Sequence, residues 1–220
     1  NADDEALFHR LALINPVHTL STVVNGSGVD LDAFGVLPLP SGAKFLMIAR
    51  LLGDKGVREY LEAASIVHER YPDVNFGLVG WVDQNPDSLT EAELQKWIDL
   101  GIVSFYGHVD DVRPVIGIYS IFVLPSYREG TPRSVLEAMA LGRPIITTDA
   151  PGCRETVISG ENGFLVRVKS VDDLVNTMIT FITQSDLIIP MGRRSRQLAE
   201  KKYDVNQVNQ HMISEMGIKS

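Results

Sequence analysis

The chain has 220 residues, of which 45% are hydrophobic and 22% are charged, with a formal net charge of −8 and a sequence pI near 5.1. This composition is typical of a globular protein with one large domain, or one domain with extensions. The acidic balance argues against a general nucleic-acid binder, because affinity for the phosphate backbone comes from clustered Lys and Arg. The single cysteine, Cys153, excludes an intramolecular disulfide and a Cys/His zinc cluster, so we expect a reducing cytosolic environment.

The predicted elements differ between the two ends and the middle of the chain. The first 43 residues hold a helix capped by Asn1, a short strand "STVV" at 21–24 and a Gly/Pro-rich crossover. From residue 44 to about 184, short apolar runs alternate with helical patterns such as 56–71, whose apolar residues recur at three- and four-residue steps. Residues 186–216 are typical of one or two helices with many polar positions. The predicted strands of the middle region are 44–50, 74–80, 103–107, 121–126, 144–149 and 164–168.

This alternation predicts the fold class. Nearly continuous apolar strands joined by helices indicate a doubly wound, Rossmann-like α/β domain, with a parallel sheet of about six strands and helices on both faces. Ligands of such sheets bind beyond the carboxyl ends of the strands, near the point where the strand order reverses. The loops that follow the strands are therefore the places to search for a site.

The loop after the first of these strands reads "RLLGDKG" and carries Arg50 and Lys55. Two cations in one loop that leads into a helix could face an anion. Taken alone, the more common interpretation is a pair of solvated cations beside Asp54.

The stretch "PSYREGTPRSVLEAMALGRP" at 125–144 predicts a helix with defined limits. Thr131 is predicted as the N-cap and Pro132 as the first helical residue, where a missing N–H costs nothing. Gly142 is placed to end the helix. The amides of Thr131, Arg133 and Ser134, with the positive end of the helix dipole, would then form an anion site. Gly130 would let a phosphate approach the backbone.

Two glutamates, Glu129 and Glu137, bracket this helix start. Glu137 lies five residues beyond Pro132, about 7.5 Å along the axis, which is roughly the reach from a diphosphate to the ribose of the same nucleotide. A carboxylate there can accept two hydrogen bonds from a diol. The alternative is a surface ion pair between Arg133 and Glu137. A role for the two glutamates as the acid and base of a glycoside hydrolase is less favoured. Those carboxylates must lie on either side of the scissile bond, whereas here one glutamate is in a loop and the other is within the helix.

Other features receive structural interpretations. Cys153 is expected to be a small filler residue, and Trp81 and Trp97 are expected to be packing residues. The Gly-x-Gly step in "NGSGVDL" lacks the third glycine and the helix of a nicotinamide-binding motif. No Asp-x-Asp pair stands at a strand end, since "DLD" at 30–32 lies in the crossover, so no metal is expected.

Three stretches, "ARLLGDKG", "YREGTPRSVLEAMALGRPIITTDAPGCRETV" and "GENGFLV", occur in this order and spacing. Together they resemble the C-terminal, donor-binding domain of a family 4 glycosyltransferase with the GT-B fold, over roughly residues 20–204. The resemblance implies that Glu137 binds ribose hydroxyls and that Glu129 is the catalytic residue facing the transferred sugar. It implies that the backbone of Gly107, His108 and Val109 lines the base. The donor diphosphate would be held by Arg50, Lys55, Gly130, Thr131, Arg133 and Ser134.

The resemblance also implies a function. It predicts a retaining transferase that moves a hexose from a UDP or GDP sugar to a glycan or lipid-linked glycan acceptor, without a metal or other cofactor and without a nucleic-acid partner. Two alternatives stay open, a GT-B sugar-nucleotide epimerase and a non-catalytic nucleotide-binding or interaction domain. A cytoplasmic location is implied, and peripheral attachment to the inner face of the membrane stays open for the full-length protein.

The same resemblance divides the chain. Residues 1–43 would be the remnant of an N-terminal domain with the interdomain crossover, and 44–203 the nucleotide-sugar-binding domain. The segment 204–220 would be a C-terminal helix or tail that docks on the missing N-terminal domain. Because that domain binds the acceptor and closes the cleft, the isolated donor domain is expected to be inactive.

Overall fold

The computed structural model describes residues 1–14 and 21–217 and is built around a six-stranded parallel sheet. The strand order is β3-β2-β1-β4-β5-β6, so the order reverses between β1 and β4. The prediction of six parallel strands is confirmed, with each strand shorter than its apolar run. The strands are β1 (Lys44–Ile48), β2 (Asn75–Val79), β3 (Ser104–Phe105), β4 (Ile121–Leu124), β5 (Ile145–Thr148) and β6 (Gly163–Val166).

Helices connect the strands and extend both ends of the chain. Within the described residues, no helix is long and apolar enough to cross a membrane. The helices are α1 (Ala2–Arg10), α2 (Val57–Arg70), α3 (Glu91–Asp99), α4 (Arg113–Gly117), α5 (Arg133–Ala140), α6 (Val171–Thr183), α7 (Ile188–Leu198) and α8 (Val205–Glu215). A π-helical turn, Ala199–Tyr203, follows α7 directly.

The central strand β1 shows why the sheet is covered on both faces. Successive side chains of a strand point to opposite faces. Phe45 and Met47 lie in the larger buried cluster, whereas Leu46 belongs to a second one together with Ile116 and Tyr119. The apolar run of β1 therefore has no solvent-facing side, as expected for a parallel sheet between two helical layers.

The two ends of the chain meet beside the sheet. Val29 donates a backbone hydrogen bond to the carbonyl of Tyr203 (2.7 Å) and accepts one from the amide of Val205 (3.0 Å). The predicted strand at 21–24 is wrong, because those residues have no ladder partner and adopt no regular structure. The predicted cap of α1 is confirmed, since the side chain of Asn1 accepts a hydrogen bond from the Asp4 amide (2.9 Å). Residues 15–20 and 218–220, which belong to the predicted end segments, lie outside the described residues.

Arg143 joins the crossover to the sheet. Its side chain is fully buried, with 1% of the residue exposed, and burial lowers its pKa to about 10. The guanidinium therefore stays charged at neutral pH, and backbone carbonyls satisfy it. These acceptors are the carbonyls of Leu37, Pro38, Ile116, Gly117, Tyr119 and Leu141.

We expect Arg143→Leu to lower the free energy of unfolding by about 3–5 kcal/mol, because several buried carbonyls lose their donor at once. Urea denaturation followed by circular dichroism measures this loss. The matched control is Arg70→Leu, at an exposed position of α2, which should change stability little. Equal stability of the two variants would contradict the role of Arg143.

Candidate active site

A cavity of about 390 Å³ opens at the carboxyl ends of β1, β2 and β4, where the strand order reverses. Ile48, Val79 and Leu124, the last residues of those strands, line its floor. This is where an open α/β sheet places its ligands. The structure brings most of the predicted site residues together here, namely Arg50, Lys55, His108, Val109, Glu129, Arg133, Ser134 and Glu137.

Three predicted residues, Gly107, Gly130 and Thr131, are not among those that line the cavity. The carbonyl of Gly107 accepts a hydrogen bond from the Gly80 amide (2.9 Å), which ties the loops after β2 and β3 together. Thr131 packs against the crossover, where a Cβ added to Gly26 would lie 2.6 Å from the Thr131 Cβ. Gly107 and Thr131 therefore make contacts beside the cavity and are not part of its lining.

The loop after β1 is held against the loop after β4. Gly56 has a φ of 72°, and a Cβ added there would lie 2.2 Å from the carbonyl oxygen of Pro125. Only a glycine permits this approach without strain. The contact positions the preceding residue, Lys55, opposite Glu129.

Lys55 and Glu129 form an ion pair with 2.7 Å between the Lys55 Nζ and the Glu129 Oε1. The two side chains are only 15% and 17% exposed, so solvent screens them weakly. The Lys55 ammonium and the predicted sugar-facing carboxylate therefore contact each other in the lining of the cavity. Sequence reasoning placed both residues in the site but did not predict that they contact each other.

The start of α5 differs from the prediction. Pro132, with an extended ψ of 111°, is the N-cap residue, and no side chain caps the helix. The predicted N-cap role of Thr131 is wrong, because the helix begins one residue later and Thr131 packs on the crossover instead. The amides of Arg133 and Ser134 precede the first helical hydrogen bond, which runs from Val135 to the Pro132 carbonyl (3.1 Å). Both residues line the cavity, so the positive end of the helix dipole lies at its wall.

Glu137 lies one turn further along α5 and is 9% exposed. Burial raises the pKa of its carboxyl, and the nearby Arg133 guanidinium opposes this effect. The Arg133 Nε lies 3.0 Å from the Glu137 Oε1, so the ion pair weighed from the sequence is present. Arg133 itself is 77% exposed, and this pair does not prevent Glu137 from lining the cavity.

The predicted packing role of Trp81 is wrong. This residue follows β2 directly, is 44% exposed and lines the cavity, with its ring centroid 5.1 Å from that of His108. Its position at the carboxyl end of a strand was the sequence signal that could have identified it. Asp83, which lies 3.5 Å from Arg50, was also missed. Trp97 packs against the core, as predicted, and Cys153 is buried.

The cavity lining has a net positive charge although the whole chain is acidic. The lining carries Arg50, Lys55 and Arg133 against Glu129 and Glu137, an excess of cations in a chain whose formal net charge is −8. With the helix amides, this arrangement favours an anionic ligand. The described ranges contain no group of three or more His, Cys, Asp or Glu residues that could hold a metal ion.

Helix α1 contacts the Glu129 loop from outside the cavity. The Asn1 side-chain amide donates to the carbonyls of Glu129 and Gly130, both at 3.1 Å. Asp4 pairs with Arg128 in the same loop, and Asp3 lies 3.1 Å from Arg154 in the loop after β5. Residues near the start of the chain therefore help to position the backbone around Glu129.

The chain belongs to the family described as Glycosyl transferases group 1, whose family model matches residues 42–184. The fold agrees with this membership. The prediction of a GT-B glycosyltransferase domain is thereby confirmed.

A relative from Campylobacter jejuni, N,N'-diacetylbacillosaminyl-diphospho-undecaprenol alpha-1,3-N-acetylgalactosaminyltransferase, is 35% identical over 76% of this chain and 43% of its own length. The pneumococcal O-GlcNAc transferase GtfA, crystallised with UDP and GlcNAc, matches 97% of this chain and 43% of its own at 18% identity, with a TM-score of 0.79. The C-terminal domain of LpcC from Francisella tularensis matches 80% of this chain and 99% of its own at 26% identity, with a TM-score of 0.70. The chain thus spans less than half the length of the curated relative.

A double-mutant cycle on Lys55 and Glu129 tests the ion pair. We expect Lys55→Met to lower the free energy of unfolding by about 1–3 kcal/mol, because it leaves a largely buried carboxylate without its partner. Adding Glu129→Gln should recover part of this loss, with a coupling energy of about 1–2 kcal/mol. Denaturant unfolding of the four proteins measures the coupling.

The matched control is the cycle on Arg194 and Glu161, a more exposed pair with side chains 39% and 49% exposed. Its coupling should be smaller, because solvent screens it. Additive losses at Lys55 and Glu129 would show that the contact contributes nothing.

Proposed function

We propose that this chain is the donor-binding half of a retaining glycosyltransferase that transfers a hexose from a nucleotide-diphosphate sugar to a glycan or lipid-linked glycan. The observation that carries the proposal is the convergence of Arg50, Lys55, the first amides of α5 and Glu137 on one cavity. This set matches the successive parts of a nucleotide sugar, with cations and amides for the diphosphate and a carboxylate for the ribose diol.

The comparisons support particular ligands within this proposal. The structure of the pneumococcal enzyme contains UDP, which favours a UDP sugar over a GDP sugar. The name of the Campylobacter relative specifies an acceptor linked to undecaprenol through a diphosphate. We therefore propose a lipid-linked glycan as the acceptor, bound by a further domain of the whole protein and brought to the donor when the cleft closes. In this proposal the donor half has no transferase activity by itself.

The chemistry follows from where negative charge develops. The bond between the anomeric carbon and the diphosphate oxygen breaks, and its electron pair leaves with the diphosphate. An acceptor oxygen forms the new bond to the anomeric carbon on the same face, and its proton passes to the departing diphosphate. Arg50, Lys55 and the α5 amides stabilise this leaving group more in the transition state than in the ground state, so the proposed mechanism uses no metal.

Glu129 has a different role in this mechanism. Its carboxylate would face the sugar, accept hydrogen bonds from sugar hydroxyls and stabilise positive charge at the anomeric carbon. Lys55 lies 2.7 Å from this carboxylate and would contact the diphosphate in the proposed complex. The pair therefore places opposite charges beside the two ends of the bond that breaks.

Calorimetry with UDP, GDP and ADP sugars tests the proposal. We expect the chain to bind one of these nucleotide sugars, and Glu137→Ala to weaken binding by about 1.5–3 kcal/mol, the value of a hydrogen bond to a charged group. The control Glu62→Ala removes an exposed glutamate of α2 and should leave affinity unchanged. Absence of binding by the folded chain to all three would refute the donor-site assignment.

The same binding should depend on pH. The ionised form of Glu137 accepts the ribose hydrogen bonds, and the pKa of this carboxyl is raised by burial. Affinity for the nucleotide sugar should therefore fall as the pH drops through that raised pKa, and Glu137→Gln should remove this step. A nucleotide sugar is the suitable probe, because its esterified diphosphate lacks the phosphate ionisation near pH 6. The other titratable groups of the cavity, His108 and Glu129 among them, are common to both proteins.

A transfer assay on the whole protein separates an enzyme from a nucleotide-binding domain without chemistry. We expect Glu129→Gln to lower the transfer rate by at least about 100-fold, because the positive charge that develops at the anomeric carbon loses its carboxylate partner. The affinity for the donor should change much less. Full transfer by this variant would show that Glu129 is not catalytic.

A further inference from the structure

The cavity is polar at one side and aromatic at the other. Its ionised groups follow β1 or lie in the β4–α5 region, as do Arg50, Lys55 and Glu129. The side formed after β2 and β3 presents instead Trp81, His108 and Val109. In the sheet, β1 lies between β2 and β4, so the aromatic side lies at the β2 end of the cavity and the β4–α5 groups lie at the opposite end.

The backbone of Trp81 is held rigidly. Its carbonyl accepts a hydrogen bond from the Leu51 amide (3.1 Å), and the preceding Gly80 donates to the Gly107 carbonyl (2.9 Å). A Cβ added to Gly80 would lie 2.0 Å from the carbonyl oxygen of Ala49, so the chain is tightly packed against β1 at this point. The Trp81 side chain nevertheless stays 44% exposed.

The imidazole of His108 contacts the Trp81 ring, with 5.1 Å between the centroids and 39° between the ring planes. An indole that is fixed at its backbone and supported by a neighbouring ring offers a flat surface at low entropic cost. Such surfaces stack on the faces of nucleobases, and stacking tolerates any base because every base has a π-face.

We propose that Trp81 is the stacking platform for the nucleobase of the donor, and that it sets affinity for the nucleoside part of the ligand. This inference rests on the proposed function. A nucleotide sugar laid across the site would place its base beyond β2, its diphosphate over the loop after β1 and the α5 amides, and its sugar beside Glu129. The apolar surface of Val109 and Val112 completes the base end of the cavity.

Fluorescence tests the contact directly, because the chain has only two tryptophans. In the Trp97→Phe variant, Trp81 is the sole indole. We expect UDP and uridine to quench its emission and inorganic pyrophosphate to leave it unchanged. Uridine that binds by calorimetry without altering Trp81 emission would overturn the proposal.

Calorimetry measures the energetic effect. Trp81→Ala should weaken UDP binding about 5- to 150-fold, the range expected for the loss of one base–aromatic stack. Trp81→Phe should recover most of the affinity, and pyrophosphate should bind both variants as it binds the native chain. Trp97→Phe is the matched control and should bind UDP normally. Thermal unfolding confirms that each variant is folded.

The outcomes separate this inference from the proposed function. If the native chain binds UDP and Trp81→Ala binds it equally well, the stacking role is refuted and the donor site stands. If Trp81→Ala weakens UDP and pyrophosphate to the same extent, Trp81 acts on the phosphate side and the stacking role is also refuted. If the folded native chain binds none of UDP, GDP and ADP, both the donor-site assignment and the stacking role of Trp81 are refuted.

Discussion

The close approach of the loop after β1 to the loop after β4 is the constraint on which the candidate site depends. The carbonyl of Asp54 accepts hydrogen bonds from the Tyr127 amide (2.8 Å) and the Ser126 hydroxyl (3.1 Å). The contact of Gly56 with Pro125 leaves no space for a side chain between the loops. Because these strands are neighbours at the reversal of strand order, the contact brings Lys55 and Glu129 from distant parts of the sequence into one ion pair.

A third loop supports the same arrangement. The Glu129 amide donates to the carbonyl of Pro151 (3.0 Å), and a Cβ added to Gly152 would lie 2.1 Å from the Glu129 carbonyl oxygen. The backbone of Glu129 is therefore held both by the loop after β5 and by the Asn1 side-chain amide. Such support limits the positions open to the carboxylate, which is the preorganisation that charge stabilisation in a transition state requires.

The distribution of charge connects this framework to the proposed chemistry. In this acidic chain the cavity lining has more cations than carboxylates and includes the first residues of α5, so an anionic diphosphate would be stabilised there as it departs in the proposed reaction. In the proposed mechanism Glu129 and Glu137 do not act as an acid and base pair, because one belongs to a loop and the other to a helix. The Glu129 carboxylate is paired with Lys55 and the Glu137 carboxylate with Arg133, so in the proposed complex the two acids would contact different parts of the same ligand.

The sequence by itself determined the sheet and the identity of most site residues. A near-continuous apolar run such as 44–50 indicates a strand that is buried on both faces, and such a run can be recognised from its own residues. Arg50, Lys55 and Glu137 could also be recognised, because each stands in a motif that is contiguous in the chain. Local patterns also predicted the cap at Asn1 and the helix end at Gly142, which has a φ of 81°.

Only the tertiary structure decided the contacts between loops that are far apart in sequence. The Lys55–Glu129 pair, the packing of Thr131 on Gly26 that displaces it from the helix cap, and the exposure of Trp81 beside His108 all depend on which strands are neighbours. The apolar pattern of 21–24 resembles a strand, but without a neighbouring edge to pair with it forms none. Strand pairing, side-chain packing and solvent exposure depend on which segments are neighbours in space. The sequence pattern of one segment does not contain that information.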